Sequence, residues 1–141
     1  MAKRVATSDP QLRIRVDLAP GCSVGPGKIS LLEAIDREGS LSVAARSIGL
    51  SYRRAWNLLA DLNCSFAQPV AATAVGGTRG GGARVTSFGH SLITAFRALE
   101  RGALRLAATR MRRFAASKVS HAEPAQRRRV SGRLGKVRKS R

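Results

Sequence analysis

The residues best equipped for chemistry in this chain are hydrogen-bond donors rather than nucleophiles. Ser51, Tyr52, Arg53, Arg54 and Asn57 fall within one short stretch. Arginine presents a planar fork that matches the O6 and N7 acceptors of guanine, and asparagine matches the N6/N7 edge of adenine. Arginines on a helix are more often merely solvated, so the reading depends on the elements that frame them. A second group surrounds Thr78 and Arg79, flanked by Gly76, Gly77, Gly80, Gly81 and Gly82, with Arg84 at its foot. Glycines at that density cannot pack a core, but they let the backbone approach a phosphate or enter a minor groove. A nucleotide-binding loop would need GxxxxGK[ST] between a strand and a helix, and that pattern is missing here. A flexible hairpin tip without a ligand is the plain alternative.

Catalytic constellations are not apparent. No carboxylate pair or Ser-His-Asp set is recognisable, and Glu33, Asp36 and Glu38 read as the solvated face of a helix. Cys22 and Cys64 form no CxxC, and His90 and His121 stand at no finger-like spacing from them. The expectation is therefore no enzyme, no catalytic residues, no metal, no cofactor, and two reduced thiols in a cytoplasmic protein.

The elements that would position the donors can be read from periodicity. Residues 12–18 alternate apolar and polar like a half-buried strand, and the Pro/Gly-rich residues 19–27 read as a loop. A helix over 29–37 follows, with Ile29, Leu32 and Ile35 inward and Gly39 as its stop. Ser40 caps a second helix over 41–48, with Leu41, Ala44, Ala45 and Ile48 inward. Ser51 caps a third, reaching about Phe66, whose stripe is Tyr52, Ala55, Leu59, Leu62 and Phe66. Strands over 69–75 and 83–85 flank the glycine turn. Thr86 then caps a fourth helix carrying Phe88, Leu92, Ile93, Phe96, Leu99, Leu104 and Leu106, whose pattern dissolves beyond about Phe114.

This order predicts a mainly α fold with a small β-wing: a winged helix-turn-helix with a long C-terminal helix. Three segments are expected: a disordered N-terminus over 1–11, the winged domain with its long helix over 12–110, and a basic, disordered tail over 111–141. Net charge is +18 over 141 residues, which favours polyanionic partners. Most of it sits at the end: residues 110–141 hold 12 Lys and Arg against one acid, whereas residues 1–109 hold 14 against seven. No run of about 18 apolar residues exists to span a membrane, and the basic N-terminus lacks a signal peptide's apolar region.

Three segments carry a family resemblance. Residues 39–46 (GSLSVAAR), 49–56 (GLSYRRAW) and 76–86 (GGTRGGGARVT) closely resemble the N-terminal DNA-binding domain of the ModE family, relatives of LysR-type winged helices. The resemblance covers roughly residues 12–107. It implies that 51–57 opens a recognition helix, that Trp56 is a packing residue rather than a base contact, and that 76–84 is the wing. It further implies a homodimer through the helix from Thr86 to Arg110, set on palindromic half-sites of double-stranded DNA. Family members carry C-terminal molybdate-binding domains where this sequence has a basic tail, so molybdate is not expected as a ligand. Residues 70–75 also lack the acidic and basic pair common there in the family, which implies a missing phosphate contact or salt bridge.

The expected function is a DNA-binding transcriptional regulator of the ModE/LysR-like type. Its DNA contacts are expected from Ser51, Tyr52, Arg53, Arg54, Asn57, Thr78, Arg79 and Arg84. Two other readings remain: a molybdate or oxyanion sensor, and a general basic nucleic-acid-binding protein acting through its tail. The second is short of stacking platforms, since aromatic residues make up only 4% of the chain.

Overall fold

A computed structural model describes residues 11–74 and 81–115. The first described elements form a small hairpin, β1 (Val16–Ala19) and β2 (Cys22–Val24), joined by Pro20 and Gly21. The strands are antiparallel, with Val16 opposite Val24 and an irregularity between Asp17 and Ala19. Two expectations are corrected here. Residues 12–15 are not strand, and Leu12 and Leu18 are exposed rather than turned inward. Within the expected loop, Cys22–Val24 is a strand, because pairing with β1 outweighs a Pro/Gly-rich context in so short a segment.

Three helices follow: α1 (Pro26–Glu38), α2 (Leu41–Ser47) and α3 (Tyr52–Ser65). Their boundaries follow from local chemistry. Pro26 opens α1 where its missing N–H costs nothing. Gly39 closes it in the left-handed conformation at φ 67°, its N–H donating to Ile35 O at 2.8 Å. The side chain of Ser40 caps α2 by accepting from Val43 N, and Ser51 caps α3 by accepting from Arg54 N at 3.2 Å. Gly49, at φ 71°, makes the turn between α2 and α3 possible.

The hydrophobic centre is α1, where Ile29, Leu31, Leu32, Ala34 and Ile35 are all fully buried. Around it pack Leu41, Ala44 and Ala45 from α2 and Ala55, Leu59 and Leu62 from α3. The small residues of α2 let it cross its neighbours closely.

A second antiparallel pair forms the wing: β3 (Ala71–Thr73) and β4 (Ala83–Val85), with Ala72 opposite Arg84. The wing is tied to the turn between α1 and α2 by an isolated bridge of Ser40 to Gly82, within which Ala83 N donates to Gly39 O at 2.9 Å. Asn63 of α3 holds β3, its side chain accepting from Val70 N at 2.8 Å and donating to Ala71 O at 3.0 Å.

The last element is α4 (Ser87–Ala115). Thr86 starts it as expected, its hydroxyl accepting from Gly89 N at 3.0 Å and donating to Pro69 O at 2.7 Å. Gly89 is there because nothing larger fits: a Cβ would stand 2.0 Å from Val70 O and 2.7 Å from Val85 Cγ1. Phe96 is buried and Phe88, Leu92 and Ile93 pack on the core, with Phe88 edge-on to Phe66. The helix runs past Arg110 to Ala115, so residues 111–115 belong to it rather than to a tail. Along this outer half Leu99, Leu104, Leu106, Met111 and Phe114 are exposed.

Glu33 departs from its expected place on a solvated face. It accepts two bonds from Arg97 of α4, at 2.8 and 2.6 Å, and Arg97 also pairs with Glu100. The bond from Arg97 holds the Glu33 carboxyl below its ordinary range against an opposing effect of burial, with the Arg97 and Arg37 charges adding to the lowering. Arg97 is raised in turn, chiefly by its bond to Glu33. The ion pair clamps α4 to α1.

Candidate nucleic-acid interface

Burial of Ala55, Leu59 and Leu62 fixes the rotation of α3 and turns its opposite side to solvent. Arg53, Arg54 and Asn57 are all exposed there, and none of their side chains bonds another described residue. With Ser51 and Asp61 they line a shallow concavity of about 270 Å³. The hydroxyl of Ser51 is engaged as the helix cap, so its first role is to begin α3 beneath the arginines. Asp61, one turn beyond Asn57, was not singled out by spacing alone. Its position four residues on from Asn57 was the available signal.

Arg54 also faces the other way, into a cleft of about 510 Å³ shared with Arg15 and Lys28. Lys28 donates to Ser23 O at 2.9 Å and Arg15 pairs with Asp17, so both cations are partly engaged.

Tyr52 and Trp56 depart from expectation. Tyr52 on the apolar stripe and Trp56 as a packing residue are expected to be covered, yet they are 55% and 51% exposed; the DNA contact also expected of Tyr52 is compatible with that exposure. They sit at the edge of the apolar stripe, one turn apart, on the flank of α3 that faces the wing. Tyr52 remains beside Arg53 on the exposed start of α3.

Arg84 is exposed on β4, opposite Ala72. Alternation places both on the ribbon face turned away from Ala83 and the core. Arg84 therefore does not share a hollow with Arg53 and Asn57. Thr78 and Arg79 lie outside the described residues.

Among the described residues there is no group of three or more His, Cys, Asp or Glu that could hold a metal, and no helix long and apolar enough to cross a membrane. Cys22 and Cys64 are unpaired there.

Comparison with known proteins bears on this arrangement. The chain is 52% identical over 81 residues to the molybdenum-pterin-binding protein MopA of Rhodobacter capsulatus, covering 57% of this chain and 30% of the relative. It is 38% identical over 88 residues to the molybdenum transport protein ModE of Azotobacter vinelandii, covering 62% and 33%. To the DNA-binding transcriptional dual regulator ModE of Escherichia coli K12 it is 40% identical over 68 residues, covering 48% and 26%. The matched segment, about half to 60% of this chain, is similar to the relatives named ModE and MopA. No family model matches the chain. The chain spans about a third of the length of the curated relatives it matches. The observed architecture, four helices with two small antiparallel sheets, agrees with the expected mainly α fold with a small β-wing.

Proposed function

We propose that this chain is a DNA-binding transcriptional regulator whose helix α3 enters the major groove while the glycine-rich wing lies on the backbone or in the minor groove. The observation that carries the reading is the face of α3: Arg53, Arg54 and Asn57 solvent-facing, with no side-chain bond to another described residue, opposite Ala55, Leu59 and Leu62 locked in the core. An α-helix fits the B-DNA major groove, and long donors near its N-terminal end are what reading base edges requires. Ser51 and Tyr52 flank those donors, and Thr78, Arg79 and Arg84 supply phosphate or minor-groove contacts from the wing. The relative in Escherichia coli named as a DNA-binding regulator supports the same reading.

A second copy completes the unit. The exposed Leu99, Leu104, Leu106, Met111 and Phe114 give the outer half of α4 an apolar face that a two-fold partner would cover. Molybdenum appears in the names of MopA and of the Azotobacter ModE, but the match covers about a third of each. We assign DNA contact, and not molybdate binding, to the residues of this chain. Stoichiometric retention of labelled molybdate in equilibrium dialysis would overturn that division.

Selection of bound duplexes from a random pool tests the main reading. The full chain is expected to enrich a two-fold symmetric sequence, with affinity falling by about 10³ between 50 and 200 mM salt if six or more phosphates are neutralised. Arg53→Ala should lose about 1–3 kcal/mol of discrimination at one base position. A chain cut after Ala115 should keep the sequence preference. If that cut abolishes all binding, residues 116–141 act as a sequence-blind polyanion binder and the reading fails.

A further inference from the structure

Trp56 is the only tryptophan in the chain and Tyr52 the only tyrosine. Large rings held half in water on a well-packed helix are costly, and such exposure commonly marks a contact surface. Here the two rings are not scattered. Together with Ser42 of α2 and Thr73, Ala74 and Gly82 of the wing, they line a hollow of about 170 Å³ between α3 and the wing. Its far wall is built from small side chains, so the hollow is open to something with bulk. Among the described residues that line it, none carries a charge. Arg53 stands beside it on α3.

The position of the hollow says what would fill it. A major groove and its neighbouring minor groove are separated by one sugar–phosphate strand. With α3 in the first and the wing on the second, whatever lies between α3 and the wing faces that strand. Deoxyribose offers an apolar C–H surface to a ring, and phosphate oxygens accept from an indole N–H or a phenol O–H. We propose that Tyr52 and Trp56 grip the duplex strand running between the two grooves. The Trp56 ring rests against deoxyribose, and its Nε1–H and the Tyr52 hydroxyl donate to phosphate. This inference rests on the placement of α3 proposed above. It assigns the aromatic pair a sequence-independent role, distinct from the base-reading of Arg53 and Asn57.

The lone tryptophan makes the test direct. A fluorescein-labelled duplex reports binding by anisotropy, while Trp56 emission reports its own surroundings. Full-length protein should show Trp56 emission quenched, and its access to acrylamide reduced, in step with the rise in anisotropy. Trp56→Ala should weaken binding to selected and unselected duplexes alike by about tenfold. Trp56→Phe, which keeps a ring but loses the donor, should fall between. Circular dichroism will show whether each variant is folded, and if Trp56→Ala is not, the wild-type emission and Trp56→Phe decide. Binding with unchanged Trp56 emission and acrylamide access, or wild-type affinity in Trp56→Ala, would overturn the inference while leaving the DNA-binding reading intact. No rise in anisotropy with any duplex at low salt would overturn both.

Discussion

Gly89→Ala separates what helix propensity expects from what packing expects. Propensity alone favours the substitution, since alanine inside a helix is better than glycine by about 1 kcal/mol. The structure gives the opposite sign. The new Cβ would stand 2.0 Å from the backbone oxygen of Val70, which is more than an ångström too close, and 2.7 Å from Val85 Cγ1. Val70 O cannot swing aside, because it accepts from Thr86 N at 2.9 Å and roots the wing. Relief therefore requires the start of α4 to lift from the wing. Overpacking of this kind costs about 1–3 kcal/mol and occasionally more, and the severity here places it at the upper end. After the propensity gain, the net is roughly 2 kcal/mol of destabilisation, or about 8–16 °C in Tm for a domain of this size. Gly102 lies in the same helix with nothing within 4 Å of its would-be Cβ. Gly102→Ala should raise stability by up to about 1 kcal/mol. Thermal and urea unfolding followed by circular dichroism read both variants. If the two substitutions shift Tm in the same direction, the argument from close approach is wrong.

Three further outcomes are expected. The lowered Glu33 carboxyl means that the unfolded chain takes up this proton first as pH falls. The Glu33–Arg97 pair thus contributes at neutral pH and is lost as pH drops through the folded-state value, below the ordinary 4.5; urea midpoints of Glu33→Gln should change less on acidification than those of the wild type. An equal acid loss in both would remove the clamp from the account. Asn63→Ala strands the N–H of Val70 and the carbonyl of Ala71, and should cost about 1–3 kcal/mol. Faster hydrogen exchange at β3 than at α1 would localise the damage, whereas wild-type stability would show that Asn63 does not hold the wing. Asp61→Asn removes the one acid beside Arg53, Arg54 and Asn57, and should tighten binding to all duplexes a few-fold at low salt, less at high salt. Unchanged affinity would mean that Asp61 lies off the contact face.

Much of the frame was legible because it is written in local chemistry. Ser40, Ser51 and Thr86 each cap the helix that follows, and Gly39 ends the one that precedes it, interactions reaching only a few residues. What escaped depends on distance. Arg97 meets Glu33 across 64 residues of sequence, so no spacing rule ties them. The strand at Cys22–Val24 exists through its partner. Trp56 is instructive: its helical phase puts it at the margin of the apolar stripe, and whether a marginal position is covered depends on where the wing passes. The candidate site divided in the same way. The exposure of Arg53, Arg54 and Asn57 follows from the phase of α3, whereas the outward turn of Arg84 needed the register of β3 against β4. The periodic pattern of α4 reaches about Phe114, next to its observed end at Ala115, whereas the domain boundary drawn at residue 110 falls short because no glycine or proline marks the stop.

The 29 residues of α4 make a rod about 43 Å long, of which the stretch beyond Arg97 accounts for about 27 Å. Its inner end is bolted at the wing root through Thr86 and Gly89, and its shaft is pinned to α1 at Glu33. Such a rod is a lever with its fulcrum inside the domain. In a single copy, force applied near Phe114 would travel down the rod to the Glu33–Arg97 clamp and be felt as torque between the wing and α1.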